Sequence, residues 1–464
     1  MLQGRKERRT FLKYCAALFV APAAIMSLPE RCAKVLPNYS HPAWSVSAPV
    51  YEMNPYFHAQ STRLADIIPH LDTIADLGVG ILWLMPIYQR GGNSMYCVKD
   101  YTAVDRELGT LADLKNLVCH AHALGIKVIL DFVPNHTANN HPWIAQHPGW
   151  YSRDANGNIV HPWPDVSQLN WSNANGALKE ELWAEMERIV TYWVQNADVD
   201  GFRWDVAPRI PEAWYGRVRE SLQRIKPVFF LAEGDTQYLH PENDMSYDGQ
   251  FHVVCKRIAG RTAAATSLDM HLDNERYAYG NITPTAYRMR YTINHDLSNG
   301  RESGFADFGG RAATLAFEVL SVTVGPRTRP MIYSGQEIGI RTGLEHTNRV
   351  TTNPNYTSSR LRAFYRRLLT LYRDNLALHP GASFTKFNSG NNEKIYAFGR
   401  SAASGAASKV VVVANLSGAS RSAGVTVPSR FQGTYTNLMA GGSVRVRSSY
   451  NPTLPAWGYR VLTR

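Results

Sequence analysis

The most restrictive feature of this chain is a rhythm. From about residue 48 to about residue 375, short apolar runs that close on polar residues alternate with segments of helical period. Residues 80–87 (GILWLMPI) are apolar without interruption, which predicts a strand buried on both faces of a parallel sheet. Comparable runs occupy 50–58, 127–133, 201–207, 228–232, 287–293 and 330–333, with a weaker one at 245–251. Between them, 65–77 reads as a helix ending near Gly78, and Thr110 caps a helix that reaches Leu124 and stops at Gly125. Leu178, Leu182, Met186, Ile189 and Trp193 mark the apolar stripe of another. About eight strand–helix units predict an α/β fold, a (β/α)8 TIM barrel.

Such a barrel gathers its chemistry at the carboxyl ends of the strands. The polar residues fall there: Asp131 with Asn135 and His136, Arg203 and Asp205, Glu233, then Asn294, His295 and Asp296. In GFRWDVA (201–207), strand alternation turns Phe202 and Trp204 to one side and Arg203 and Asp205 to the other. A carboxylate beside a permanent cation stays ionised, as a nucleophile must be, although an ordinary ion pair has the same appearance. Glu233 follows the apolar run 228–232, where desolvation raises a carboxyl pKa and suits it to donate a proton. Asp296, beside His295, suits a stabiliser of positive charge.

The rhythm stops at 137–175. This stretch is rich in Trp, His, Pro and Asn and reads as a subdomain inserted after the third strand. Trp143, Trp150, Trp163 and Trp171 within it are stacking platforms for a ligand or the cement of the loop itself. Residues 380–464 change to short alternating runs split by Gly, Ser and Asn, which predicts a C-terminal all-β sandwich domain.

Residues 1–34 stand apart. They carry seven Lys or Arg against two Glu, a net +5 of the formal +11, and no basic block recurs later. A nucleic-acid partner is therefore not expected. Arg8-Arg9-Thr10-Phe11-Leu12-Lys13 precedes an apolar segment too short for a membrane span and resembles a twin-arginine export signal. The expected location is periplasmic or secreted. Cys32 lies in a context unlike a lipoprotein cleavage box, so no stable membrane anchor is expected. Five scattered cysteines without a CxxC pair predict neither a disulfide framework nor a thiolate zinc site.

DFVPNH (131–136), GFRWDVA (201–207), FLAEG (230–234) and TINHD (292–296) resemble, in order, the four short motifs of the α-amylase family of glycoside hydrolases. MYCVKDY (95–101), DVSQLNW (165–171), IYSGQEIG (332–339) and LPAWGYRVL (454–462) are similar to that family too. The resemblance implies retaining cleavage of α-glucosidic bonds in an α-glucan or malto-oligosaccharide. It makes Asp205 the nucleophile, Glu233 the acid/base and Asp296 the transition-state stabiliser. It has His136 and His295 hold sugar hydroxyls, Arg203 orient Asp205, and Tyr96 stack on the sugar ring. Arg209 stands where relatives contact the acceptor sugar, and Cys97 where they carry Ser or Asp. No cofactor is required. Calcium is allowed, since Asn135 matches a ligating position in many relatives, but Arg209 replaces a His or Lys beside that site. Asp154, Asn156 and Asn158, with Asp165, form either an oxygen cage or simply a turn. Two other readings stay open: a glucan transglycosylase or sugar isomerase of the same family, and a non-catalytic amylase-like module that binds glycans or partners.

If the twin-arginine run is an export signal, the pair Arg8→Lys and Arg9→Lys is expected to strand the protein in the cytoplasm of its native host, with the isolated enzyme still active. Fractionation of the host cells checks this, and normal export of the double variant overturns it.

Overall fold

The computed structural model describes residues 39–56, 63–280, 286–299, 304–340, 343, 360–403 and 407–464. The expected export signal lies outside them, as does the end of the 50–58 run. Eight parallel strands close a barrel: β1 (Val50–Met53), β2 (Ile81–Leu84), β3 (Lys127–Phe132), β4 (Gly201–Trp204), β5 (Phe229–Ala232), β6 (Met245–Tyr247), β7 (Tyr287–Arg290) and β8 (Thr328–Tyr333). Each pairs with its neighbours in sequence, and β8 returns to β1, Met331 opposite Val50.

The continuous apolar runs follow from burial on both faces. Along β2, Ile81 and Trp83 fill the barrel interior with Val50, Ile129, Leu231 and Met331, while Leu82 and Leu84 face the helices. In β4, Phe202 and Trp204 likewise face the helical layer. The first of two capped helices begins as expected. Thr110 caps α1 (Leu111–Ala123) in a reciprocal box with Asp113, and Asn175 caps α2 (Gly176–Ala197). The 65–77 segment differs from expectation. Pro69 lacks the N–H that a continuous helix needs, so the chain makes Leu64–Ile67, a 3-10 turn Ile68–His70 and Leu71–Asp76. Among the described residues no helix is long and apolar enough to cross a membrane.

Between β3 and α2 the inserted segment is tied by a ribbon, His136–Ala138 antiparallel to Val166–Gln168. Three of its tryptophans serve as cement. Trp143 stacks on Tyr101 and meets Trp150 edge-on, and Trp171 packs against Trp214. Trp163 instead lies beside His136, ring centroids 5.2 Å apart.

The C-terminal region is a six-stranded antiparallel sheet in the order Ser383–Phe387, Ile395–Ser401, Lys409–Asn415, Tyr459–Thr463, Gly433–Asn437, Ser443–Val446. One face, with Tyr396, Phe398, Val410 and Val412, joins the core shared with the barrel. The other, with Ile395, Ala397, Val411 and Val413, is covered by two short ribbons that form a reduced second layer. Arg400 crosses to the barrel and donates to the carbonyls of Thr323 and Gly325 at the carboxyl end of α3 (Arg311–Thr323).

Gly201, at the head of β4, has φ +153°, and a Cβ added there would lie 1.9 Å from the carbonyl oxygen of Phe229. The obstacle is backbone of β5, which cannot move without opening the barrel. Gly201→Ala is expected to cost about 4 kcal/mol or more. Urea unfolding of the variant checks this, and a wild-type midpoint contradicts it.

Candidate active site

The carboxyl ends of the strands converge on one side chain. Arg203 points into the barrel from β4 with no solvent exposure. Its Nη1 donates to Asp131 Oδ1 at 2.9 Å and Asp205 Oδ1 at 2.8 Å, and its Nε donates to the Tyr247 hydroxyl at 3.1 Å. Its Nη2 lies 3.1 Å from Glu233 Oε2, an ion-pair contact without hydrogen-bond geometry. The rings of Trp83 and Tyr247 flank the guanidinium, their centroids 5.2 and 5.7 Å from Cζ. One cation thus serves three carboxyl groups from three adjacent strands.

Burial decides their protonation. It raises Asp205 to about 6 against the pull of Arg203, and Asp131 likewise to about 6. Glu233 rises further, to about 7, because the charges of Asp205 and Asp296 add to burial. Ionisation of Asp205 is therefore less secure than the Arg203 pair alone implies. Desolvation outweighs the cation, which Asp205 shares with two other carboxyls.

The turn after Asp205 fixes Glu233. Val206 adopts a left-handed conformation, φ +49° and ψ +41°, which a β-branched residue rarely tolerates. In that conformation its N–H donates to Glu233 Oε2 at 2.6 Å.

The two rim histidines, similar in sequence, differ in charge. Asn135 Nδ2 donates to His136 Nδ1 at 3.1 Å, and burial lowers His136 to about 4, so it is neutral. For His295, burial opposes the charge, but Asp296 and Glu52 outweigh it and hold it at about 9. Tyr96 lies parallel to His295, ring centroids 5.7 Å apart, and donates its hydroxyl proton to Asp131 Oδ2 at 3.2 Å. Asp296 places Oδ2 3.5 Å from His295 Nε2.

Asp205, Glu233, Asp296, Tyr96, His136, Arg203 and His295 therefore share one rim. Arg209 stands outside the buried cluster, exposed on the 3-10 turn Ala207–Arg209, though its charge is felt at His136. Cys97 turns away from the rim, its thiol donating to Asp165 Oδ2 at 2.8 Å. Asp131 does more than tie strand ends together, since it takes the Tyr96 and Trp83 donors besides Arg203. Sequence reasoning missed Glu52, Trp83, Tyr247 and Val206. For Glu52 a signal existed: it is the one charged residue in the otherwise apolar strand VYEM.

The residues considered for calcium make contacts of their own within the protein. Asp154 Oδ1 accepts from the backbone N–H groups of Asn156 and Asn158, so the loop is closed on itself as a turn. The Asn135 amide is turned to His136. Among the described residues no group of three or more His, Cys, Asp or Glu side chains is placed to hold a metal ion.

Comparison with known proteins gives a concordant picture. The family model “Alpha amylase, catalytic domain” matches residues 58–156. Alpha-amylase 3 of Dictyoglomus thermophilum is 28% identical over 344 residues, 65% of this chain and 66% of that protein. Alpha-amylase MalA of Haloarcula japonica is 25% identical over 81% of this chain, a stretch that spans only 56% of the relative. Trehalose-6-phosphate hydrolase of Escherichia coli is 26% identical over 68% of this chain and 67% of its own length. Among solved structures, the noncanonic maltogenic α-amylase AmyB of Thermotoga neapolitana superposes with a TM-score of 0.79 at 22% identity, covering 90% of this chain and 99% of that one. At that identity the superposition speaks for the fold.

The raised pKa of Asp205 has a consequence for stability. An acid whose pKa is raised by folding binds its proton more tightly in the folded chain, so its contribution is fully present below about pH 4 and lost as pH rises through about 6. Asp205→Asn removes that titration and leaves Arg203 paired with Asp131 and Glu233. The variant is expected to be more stable than wild type at about pH 8, by roughly 1–3 kcal/mol, with the gain vanishing near pH 4. Urea midpoints across that range check it, and a pH-independent difference refutes it.

Proposed function

We propose, for a chain that belongs to the α-amylase family of glycoside hydrolases, that the rim cleaves α-glucosidic bonds of α-glucans with retention, through a covalent glycosyl-enzyme intermediate. The observation that carries the reading is the arrangement around Arg203, with Asp205 and Glu233 on one guanidinium and different environments for the two carboxyls. A retaining pair stands at about 5 Å and an inverting pair at roughly 6.5–9.5 Å, and contact of both carboxyls with one guanidinium is compatible with the shorter spacing.

Asp205 binds Arg203 through Oδ1, which leaves Oδ2 to attack the anomeric carbon. Glu233 is the more readily protonated of the two at neutral pH. Its Oε2 faces Arg203 and the Val206 N–H, so Oε1 is the oxygen that carries the proton to the leaving sugar. Once the first sugar departs, the ionised Glu233 takes a proton from water, and that water opens the ester on Asp205. Asp296 and His295 flank the sugar from the β7 side. The same reading assigns the twin-arginine run to export, so the enzyme acts outside the cytoplasm.

Glu233→Gln separates the acid/base role from general damage. On a natural glucan the leaving group is a poor one, and the variant is expected to lose roughly 10²–10⁴-fold in rate. On α-glucosyl fluoride, which needs little protonation, attack by Asp205 survives and the intermediate accumulates. Azide needs no base, so it restores turnover and gives α-glucosyl azide after two inversions. A β-azide product, or equal loss on both substrates with no effect of azide, sinks the assignment.

A further inference from the structure

Glu52 lies at the end of β1 with no solvent exposure, in register with Trp83 of β2 and Tyr333 of β8. Its Oε1 hydrogen-bonds His295 Nδ1, and its Oε2 is buried without a hydrogen-bond partner among the described residues. A carboxylate kept dry with one oxygen unsatisfied is unfavourable. An apolar residue would fill the space at less cost, so the charge calls for a role.

The hydrogen-bond chain supplies one. The Tyr96 hydroxyl has a single proton, which it gives to Asp131 Oδ2, so its oxygen accepts from His295 Nε2 at 2.9 Å. Asp296 Oδ2, 3.5 Å from Nε2, favours a proton on the same nitrogen. On the opposite edge of the ring, the Glu52 carboxylate requires a proton on Nδ1. Both nitrogens therefore carry hydrogen, and the ring is an imidazolium. From the remaining elements, Arg203 on β4 opposes this charge and Trp83 on β2 presents its ring to the imidazole at 5.7 Å.

We propose that Glu52 is a positioning residue that holds His295 doubly protonated, so that Nε2–H stays a charged donor aimed into the sugar-binding rim between Tyr96 and Asp296. The proposal rests on the glycosidase reading for what that donor meets. Without Glu52 the ring keeps one proton near neutral pH and is free to place it on either nitrogen. A neutral tautomer with hydrogen on Nδ1 turns a lone pair toward Asp296 and the substrate hydroxyl, which reverses the contact. Glu52 thus acts through His295 and touches no substrate atom.

The test is a titration of the full-length protein carrying ¹⁵N-labelled histidine, with the His295 signals identified by their loss in His295→Asn. In wild type the imidazolium nitrogen shifts are expected to persist beyond about pH 8. Glu52→Gln, which keeps the volume and loses the charge, is expected to lower the midpoint by about one to two units, with Glu52→Asp in between. Turnover of α-glucosyl fluoride by Glu52→Gln is expected to fall roughly tenfold in kcat/KM at about pH 8, and the deficit to close near pH 5.5, where the ring protonates unaided. A His295 already neutral at pH 7 in wild type overturns the proposal, as does a midpoint unmoved in Glu52→Gln. If that variant does not fold, the wild-type titration decides alone. Failure of wild type to turn over the fluoride, with the titration as expected, counts against the glycosidase reading and leaves the Glu52–His295 pair standing.

Discussion

Everything at the rim depends on a buried guanidinium. Taking a permanent cation out of water is prohibitive unless charge and hydrogen bonds meet it on several sides. Arg203 is met on all of them, by Asp131, Asp205, Tyr247 and the approach of Glu233. Three carboxyls compete for that single charge, so they cannot all ionise easily. The competition keeps protons available at neutral pH where isolated carboxyls would hold none. His295, held cationic from the other side, offsets part of the negative excess without touching Arg203 directly. The asymmetry between Asp205 and Glu233 is then one of position: Asp205 sits on the fork, and Glu233 at its edge.

Much of this was legible in the sequence, for physical reasons. A parallel barrel buries both faces of each strand, so GILWLMPI and FFLA announce themselves as continuous apolar runs. Alternation put Arg203 and Asp205 on one shared face, and the rim location of the polar residues follows from the direction of the strands. The charge states of the two histidines were not legible. His136 and His295 each follow an asparagine at a strand end, and what separates them is burial for the one against Asp296 and, 243 positions away, Glu52 for the other. The role of Glu52 was hidden because a single carboxylate in an apolar strand does not reveal which partner waits across the barrel. The left-handed Val206 was equally hidden, since its residue type argues against the conformation it adopts.

The C-terminal sheet belongs to the same construction. The carboxyl end of α3 presents unpaired carbonyls and the negative end of its dipole to the interior. Arg290 from β7 donates there to Val324, and Arg400 from the C-terminal sheet to Thr323 and Gly325. The end of that helix is capped jointly by a barrel strand and by the neighbouring domain. The sheet's inner face shares the barrel's core, so the two regions solvate each other's surfaces.

Closure of the barrel by β8 against β1 also dictates a timetable for synthesis. Val50 meets Met331, so the N-terminal strand emerges some 280 residues before its last neighbour. At translation rates of about 5–20 residues per second the nascent chain spends roughly 15–55 s with one edge of β1 unmatched. Until then the growing product is an open parallel sheet with two raw borders, the form of β-structure most inclined to recruit strands from other chains. A ribosome that stalls ahead of Thr328 releases a sticky sheet, not a smaller barrel.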